Sequence, residues 1–220
     1  EGLPKASYSL SGDTLSDCDV SKDLGIFVDP ELKFNVHVDS VVAKARQRSS
    51  LIFKCFISRK PDLLIRAFIT YVRPMLEYAS SIWNPMAVGL IDKIESVQRH
   101  FTKRIPCLAN LTYKQRLIAL NLDSLEKRRL VLDLILMYKI VFGQIDVKAN
   151  DLFVFNCNAT RGHDYKIVPQ HSRVNARKRF FSNRVIDVWN ALPSSIIKFD
   201  SLTIFKNSLS NCQLTLYTRY

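Results

Sequence analysis

Apolar residues recur every three or four positions through most of this chain, which is the spacing of one buried helical face. The spacing predicts helices at about 36–57, 61–84, 90–105, 113–120, 124–142, 178–191 and 202–209. Ser124 is a good N-cap residue, and Pro106 and Gly143 mark the ends of helices. The chain is therefore expected to be mainly α-helical.

Before the first predicted helix, apolar and polar residues alternate with a period of two, which is the spacing of a β-strand. Residues 8–29 contain two short runs, YSLSG and DLGIFVD, with a turn rich in Asp and Ser between them. Asp29 precedes a proline, which holds it out of helical dihedrals and ends the second run. We predict a short N-terminal β-hairpin, then a helical bundle, then a basic and partly irregular C-terminal helical extension.

The stretch RPMLEYASSIWNP lies in the helix predicted from residue 61. Pro74 removes a backbone hydrogen bond and collides with the preceding turn, so we predict a kink there. Tyr78 and Trp83 are expected on the buried stripe of this kinked helix. Trp189 is expected to anchor a later helix, because large aromatic side chains dominate core energetics.

Two segments lack helical spacing. Residues 144–176 predict a long loop with one short strand near 165–168, and the last ten residues are expected to fray.

The chain opens at Glu1 without a signal pattern and looks like a piece of a longer protein. Charged residues interrupt every apolar run, so we expect no membrane partner. Five scattered cysteines without a CxxC pair indicate reduced thiols and an intracellular location.

Charge gives the first indication of function. The chain has 32 Lys and Arg against 20 Asp and Glu, a formal charge of +12, which favours a nucleic-acid partner. A basic protein without such a role remains open. Between Arg161 and Arg184, seven basic residues face Asp164 alone, and Phe180 and Phe181 lie among them. These phenylalanines either stack on bases or form the buried face of a helix.

Basic faces of successive helices supply the candidate nucleic-acid-binding residues. They are Lys44, Arg46, Arg48, Arg99, Lys103, Arg104, Arg161, Arg177, Lys178 and Arg179. Lys and Arg neutralise phosphates and position a nucleic acid without reading its sequence.

No residue pattern predicts catalysis or metal binding. The chain has no adjacent Asp pair of the kind that two-metal chemistry uses. Its one acidic cluster, Asp13, Asp17, Asp19 and Asp23, lacks the Gly and Glu of a calcium loop and predicts a solvated turn. Scattered glycines and histidines give neither a phosphate loop nor a zinc motif. We predict no catalytic residue, no metal site and no cofactor in this chain.

Seven strings in order resemble the region after the polymerase palm in reverse transcriptases of non-LTR retrotransposons, of the jockey-like, LINE-type kind. They are DLGIFVDPELKFNVHV (23–38), VRPMLEYASSIWNP (72–85), IDKIESVQRHFTKRI (91–105), RLIALNLDSLEKRRLVLDLILMYKIVFG (116–143), TRGH (160–163), FFSNRVIDVWNALP (180–193) and SLTIFKNSL (201–209). The resemblance covers roughly residues 8–210.

The resemblance implies three regions: 1–35 as the end of the palm with a hairpin connector, 36–110 as a helical thumb-like domain, and 111–220 as the C-terminal extension. The family's paired aspartates, and the Mg²⁺ they imply, belong to the palm, and their motif is absent here. The chain is therefore expected to be part of an RNA-directed DNA polymerase that does not polymerise alone.

The partners implied by the resemblance are RNA, an RNA–DNA hybrid or DNA, together with the palm and endonuclease of the same polyprotein. The implied location is the nucleus and cytoplasm. A degenerate or domesticated remnant that acts as a helical protein-interaction module is the alternative.

Overall fold

The computed structural model describes residues 8–14, 16–156 and 162–220, and this part of the chain is mainly helical. The strands are β1 (Ser9–Leu10), β2 (Asp13–Thr14), β3 (Ser21–Asp23) and β4 (Ile26–Val28). The helices are α1 (Asn35–Cys55), α2 (Pro61–Tyr71), α3 (Arg73–Glu77), α4 (Ser80–Trp83), α5 (Val88–Lys103), α6 (Tyr113–Ala119), α7 (Leu125–Val141), α8 (Ala149–Leu152), α9 (Asn175–Arg179), α10 (Phe181–Arg184), α11 (Ile186–Asn190) and α12 (Leu202–Ser210). No helix among these residues combines the length and apolar character needed to cross a membrane.

The strands form two small hairpins, whereas the sequence predicted one. β1 pairs with β2 and β3 pairs with β4, both antiparallel. Each two-residue turn has positive φ throughout: 54° and 96° at Ser11 and Gly12, 45° and 88° at Leu24 and Gly25. This is the geometry that closes tight hairpins. The YSLSG run therefore folds back on itself and does not pair with DLGIFVD.

The predicted kinked helix is three helices, α2, α3 and α4. Pro74 lies in the first turn of α3, where a missing N–H costs nothing. Ala79, between α3 and α4, has a left-handed φ of 50°, which changes the direction of the chain again. Trp83 is completely buried as expected, but Tyr78 is 59% exposed. The placement of Tyr78 on a buried stripe was wrong, and its hydroxyl donates to the Leu24 carbonyl at 3.2 Å.

Buried apolar side chains form two clusters. The first contains residues of β4, α1, α2 and α5, with Phe101 packed against Phe53 and Phe68 at centroid distances of 4.8 and 4.7 Å. The second joins α7 to the C-terminal helices. Leu125 belongs to the first and Leu134 to the second, so the change of cluster falls within α7. The sequence division at residue 110 stays a prediction.

The C-terminal extension is more broken than its sequence predicted. The helix predicted at 178–191 is α9, α10 and α11, because Phe180 is extended with a ψ of 144°. Trp189 is completely buried, and its Nε1 donates to the Tyr165 carbonyl at 2.7 Å. In the segment predicted as a loop, the structure forms α8 and one isolated antiparallel bridge between Phe155 and Ile167.

The last ten residues are not frayed. A 3₁₀ turn covers Leu214–Tyr217, and Leu214 is completely buried in the second cluster. The Tyr220 ring packs edge-on against Tyr113, with 6.0 Å between centroids. The prediction of a loose end was wrong because apolar and aromatic side chains hold this segment to the helices.

Candidate nucleic-acid interface

α1 and α5 pack against each other and carry five of the candidate basic residues, and a sixth, Arg104, directly follows α5. Val38, Val42 and Ala45 on α1 are buried at steps of three and four, as are Ile94 and Val97 on α5. Burial of these faces leaves the polar sides of both helices at the rim of the contact.

A groove of about 320 Å³ lies along this contact. It is lined by Arg46, Ser49, Ser50, Val97, His100, Phe101 and Arg104. Arg46 Nη2 donates to Ser96 Oγ at 2.8 Å, which ties the guanidinium of α1 to α5. Two guanidinium groups, an imidazole and the Ser50 hydroxyl above an apolar floor can hold phosphate oxygens without reading a base. The buried Ser49 hydroxyl instead donates to the Ala45 carbonyl at 2.8 Å.

Arg104 is positioned by an aromatic ring. Its guanidinium carbon lies 4.1 Å from the centroid of Phe53, a ring that is itself buried. Arg59 lies 5.8 Å from the same centroid and donates to the Phe53 carbonyl at 2.8 Å. Stacking orients the plane of a guanidinium and leaves its edge available for hydrogen bonds. Arg104 is exposed and so can direct that edge into the groove.

The three candidates on α1 do not share a face. Successive residues of a helix are about 100° apart, so Lys44 and Arg48 each lie about 200° from Arg46. Both are exposed, and neither takes part in a salt bridge between described residues. They form a separate basic flank outside the groove, which sequence spacing alone had grouped with Arg46.

Arg99 lies between two tyrosine rings, 5.3 Å from the centroid of Tyr113 and 5.1 Å from that of Tyr220. The Tyr220 hydroxyl donates to Asp92, and its carbonyl accepts from Ser124 Oγ at 3.4 Å. Burial and the Asp92 carboxylate raise the pKa of the Tyr220 hydroxyl, which keeps it a donor. The end of the chain therefore covers Arg99, which does not line the groove.

Lys103 follows one helical turn after Arg99 and is exposed. It takes part in no salt bridge within the described part of the chain. Lys103 is therefore a free cation at the end of α5, outside the residues that line the groove.

Arg177, Lys178 and Arg179 come together on α9. Arg177 Nη2 donates to Gln170 Oε1 at 3.1 Å, and Arg179 Nη1 donates to the Glu31 carbonyl at 3.3 Å. Lys178 is exposed and makes no side-chain hydrogen bond to another described residue. Arg179 thereby connects the C-terminal extension to the segment before α1.

The two phenylalanines after this basic run have different environments. Phe181 is buried in the second cluster, whereas Phe180 is half exposed. The buried-face interpretation therefore holds for Phe181 and not for Phe180. Arg161, the remaining candidate, lies outside the described residues.

Four polar residues that the sequence did not single out connect α4, α7 and α10. Arg184 Nη2 forms an ion pair with Asp133 Oδ1 at 3.1 Å. Asn84 Nδ2 donates to Asp133 Oδ2 at 3.1 Å, and Asn84 Oδ1 accepts from Arg129 Nε at 3.0 Å. The sequence feature that could have indicated this contact is the presence of two charged residues, Arg129 and Asp133, four positions apart on the apolar side of α7.

Glu95 is also completely buried and caps α7 from a distance. It accepts the backbone N–H groups of Leu125 and Glu126, each at 3.1 Å, and the hydroxyl of Tyr113. Burial raises the pKa of the Glu95 carboxyl, and these hydrogen bonds oppose that rise. Burial lowers the pKa of the Arg129 guanidinium, which nearby carboxylates, Glu95 first among them, oppose. These groups therefore serve the packing of α5 against α7.

Within residues 8–14, 16–156 and 162–220, no three His, Cys, Asp or Glu side chains are placed to hold a metal ion. The acidic residues of the N-terminal turns, Asp13, Asp17, Asp19 and Asp23, are all exposed.

Comparison with known proteins finds one relative without an assigned activity. Uncharacterized protein B0403.1 of Caenorhabditis elegans is 29% identical over 125 residues, which cover 56% of this chain and 63% of that protein. The match thus spans less than two thirds of the relative's length. No family model matches the chain, and no solved structure matches it significantly.

Proposed function

We propose that this chain is the region after the palm of a non-LTR retrotransposon reverse transcriptase, and that it holds an RNA–DNA hybrid through the groove between α1 and α5. The observation that carries the proposal is that Arg46 of α1 and Arg104, the residue directly after α5, line one groove with His100 and the Ser50 hydroxyl. The formal charge of +12 and the ordered sequence resemblance support it.

The groove would bind the nucleic acid and would not catalyse a reaction. Guanidinium groups that meet successive phosphates release counterions from the nucleic acid, which favours binding of any sequence. The Ser96 bond of Arg46 and the Phe53 stack of Arg104 fix both groups before the ligand arrives. Less side-chain freedom is then lost on binding.

Fluorescence anisotropy of labelled RNA–DNA hybrids over a range of salt concentrations tests this proposal. The logarithm of the affinity should fall by about 0.7 to 0.9 for each phosphate contact per tenfold rise in salt. Two hybrids of unrelated sequence should bind equally. A flat salt response, or no binding at low salt, would contradict the proposal and favour a protein-interaction module.

Primer extension provides a second test. With primer–template, nucleotides and Mg²⁺, the chain alone should incorporate nothing, because it lacks the paired aspartates of the family. Incorporation by a pure preparation would contradict this assignment of the region.

A further inference from the structure

A second cleft lies where α9–α11 and the preceding loop meet the segment before α1 and the connection from α4 to α5. Three cavities of about 450, 320 and 390 Å³ follow one another there. Lys33 and Arg179 line both the first and the second, and Met86 lines both the second and the third. Shared walls make the three cavities one continuous cleft, with residues 169–187 on one side and 30–35 and 84–90 on the other.

The charge of this cleft is positive along one side. Arg184 is neutralised by Asp133, and Lys33 is paired with Glu31. Lys178 and Arg179 line the cleft with no carboxylate partner among the described residues. Arg177 bonds to Gln170, a residue of the same wall. Asp187 also lines the cleft, so Lys178 and Arg179 exceed its single negative charge by one, and this excess attracts anionic groups to the side formed by α9.

The rest of the lining is apolar or carries amides. Leu32, Pro85, Leu90 and the half-exposed Met86 provide apolar surface. Asn35 and Gln170 add amide groups, which can donate to and accept from base edges. Each cavity lies within the range of about 300–1,000 Å³ that is typical of small-ligand sites. The basic edge can contact phosphates, the apolar surface can contact base faces, and the amides can bond to the base edges of an unpaired nucleotide.

We propose that this cleft binds single-stranded RNA or DNA that extends from the hybrid held between α1 and α5. The phosphates would lie against Lys178 and Arg179, and the bases would lie against Met86 and the amides. A duplex hides its base faces, whereas a single strand exposes them to such a surface. This inference rests on the proposed function, because it assigns the cleft to the same nucleic acid.

The test compares a blunt RNA–DNA hybrid with the same hybrid carrying a single-stranded tail of mixed sequence. The tail should tighten binding by about tenfold, roughly the contribution of one hydrogen bond from a charged group such as Lys178 or Arg179 to a phosphate. The K178E/R179E variant should lose this gain and bind the blunt hybrid as a control variant with the same change of net charge does. K178E alone should lose part of the gain, and it disturbs no contact between described residues.

K198E/K206E is the matched control, since both lysines are exposed, lie outside both surfaces and give the same change of net charge. This control should keep the gain from the tail. A blunt hybrid that binds with the expected salt response while the tail adds nothing would overturn this inference and leave the proposed function standing. Absence of any binding would overturn both. Displacement of the tail by polyglutamate as effectively as by a single-stranded oligonucleotide would show an acidic-peptide site and overturn the inference.

Discussion

Arg184 and Asp133 form an ion pair 3.1 Å long in which the side chains are only 7% and 3% exposed. The pair joins α10 to α7, and Arg184 also donates to the Ser81 carbonyl within α4. Burial of an ion pair costs free energy of desolvation. This cost is offset only when the two groups pair with good geometry and make further hydrogen bonds. This demanding polar contact therefore holds α10 against α7 and α4.

Removal of one partner should be costly. D133A leaves the Arg184 guanidinium buried without its carboxylate and should lower the free energy of unfolding by about 3–5 kcal/mol. The double variant D133L/R184M removes both charges of the pair and should cost less than D133A, although Arg129 loses one of its nearby carboxylates. Urea unfolding followed by circular dichroism measures both. As a control, D39A breaks the exposed pair with Lys93 and should cost at most about 1 kcal/mol. Equal costs for the single and double variants would contradict this account of the contact.

The two flanks of α1 should contribute differently to nucleic-acid binding. R46A/R104A removes two groove cations and should weaken hybrid binding uniformly across sequences, with the salt slope reduced by about 0.9 for each lost contact. K44A/R48A removes the same charge from the outer flank and should have a smaller effect. Anisotropy titrations with one hybrid compare the two variants directly. A larger loss for K44A/R48A would place the interface on the outer flank.

Stability should depend on His163 below neutral pH. Its Nε2 lies 2.8 Å from the Trp189 carbonyl and its Nδ1 accepts the Tyr165 N–H at 3.2 Å, so the neutral ring satisfies both. Burial lowers the pKa of His163 from its ordinary 6.5, an effect partly opposed by the Trp189 hydrogen bond. The unfolded chain therefore takes up the proton first as pH falls. The stabilisation is complete above pH 6.5 and is lost as pH falls through the folded-state pKa.

Urea unfolding of the unchanged chain and of H163Q at a series of pH values measures this effect. The difference in unfolding free energy between the two should shrink as the solution becomes acidic. H171Q, at an exposed histidine, should keep the pH dependence of the unchanged chain. A difference that is constant across pH would show that His163 does not titrate in this way.

Tyr220 should protect Arg99 from reagents. Y220A removes the ring 5.1 Å from the guanidinium and the bond to Asp92, so Arg99 should react faster with phenylglyoxal. Y220F keeps the ring and should protect Arg99 nearly as well. Mass spectrometry of modified peptides measures the rate, and Y217A, at another tyrosine of the same segment, serves as the control. Unchanged reactivity in Y220A would mean that the end of the chain does not cover Arg99.

Local features of this fold could be predicted from the sequence because they depend on neighbouring residues. Ser124 caps α7 by accepting the Lys127 N–H at 3.1 Å, and Gly143 follows the helix with a φ of 62°. Burial of Trp83 also follows from its apolar surroundings. Tyr78 did not follow the same rule, because the buried positions run through Val72, Leu76, Ser80 and Trp83, and Tyr78 lies off that line.

The arrangement of the candidate site could not be predicted in the same way. Helical spacing shows which residues share a face of one helix, but not which faces of two helices meet. The orientation of α1 about its own axis in the contact with α5 brings Arg46 into the groove with Arg104. The same orientation turns Lys44 away from the groove. Contacts such as Arg179 with Glu31 join residues 148 positions apart, and no local pattern encodes them.

α7 holds the two apolar clusters at a fixed spacing. Its 17 residues, about 25 Å of continuous helix, enter the first cluster at one end and the second at the other. Rotation of one part against the other would require breaking the backbone hydrogen bonds of this helix. The Asp133 contact on the same helix also holds α10, which follows α9. The groove and the second cleft also lie along the same two helices, because Asn35 of α1 and Leu90 of α5 line the cleft, so a nucleic acid would pass from one to the other over a fixed length of helix.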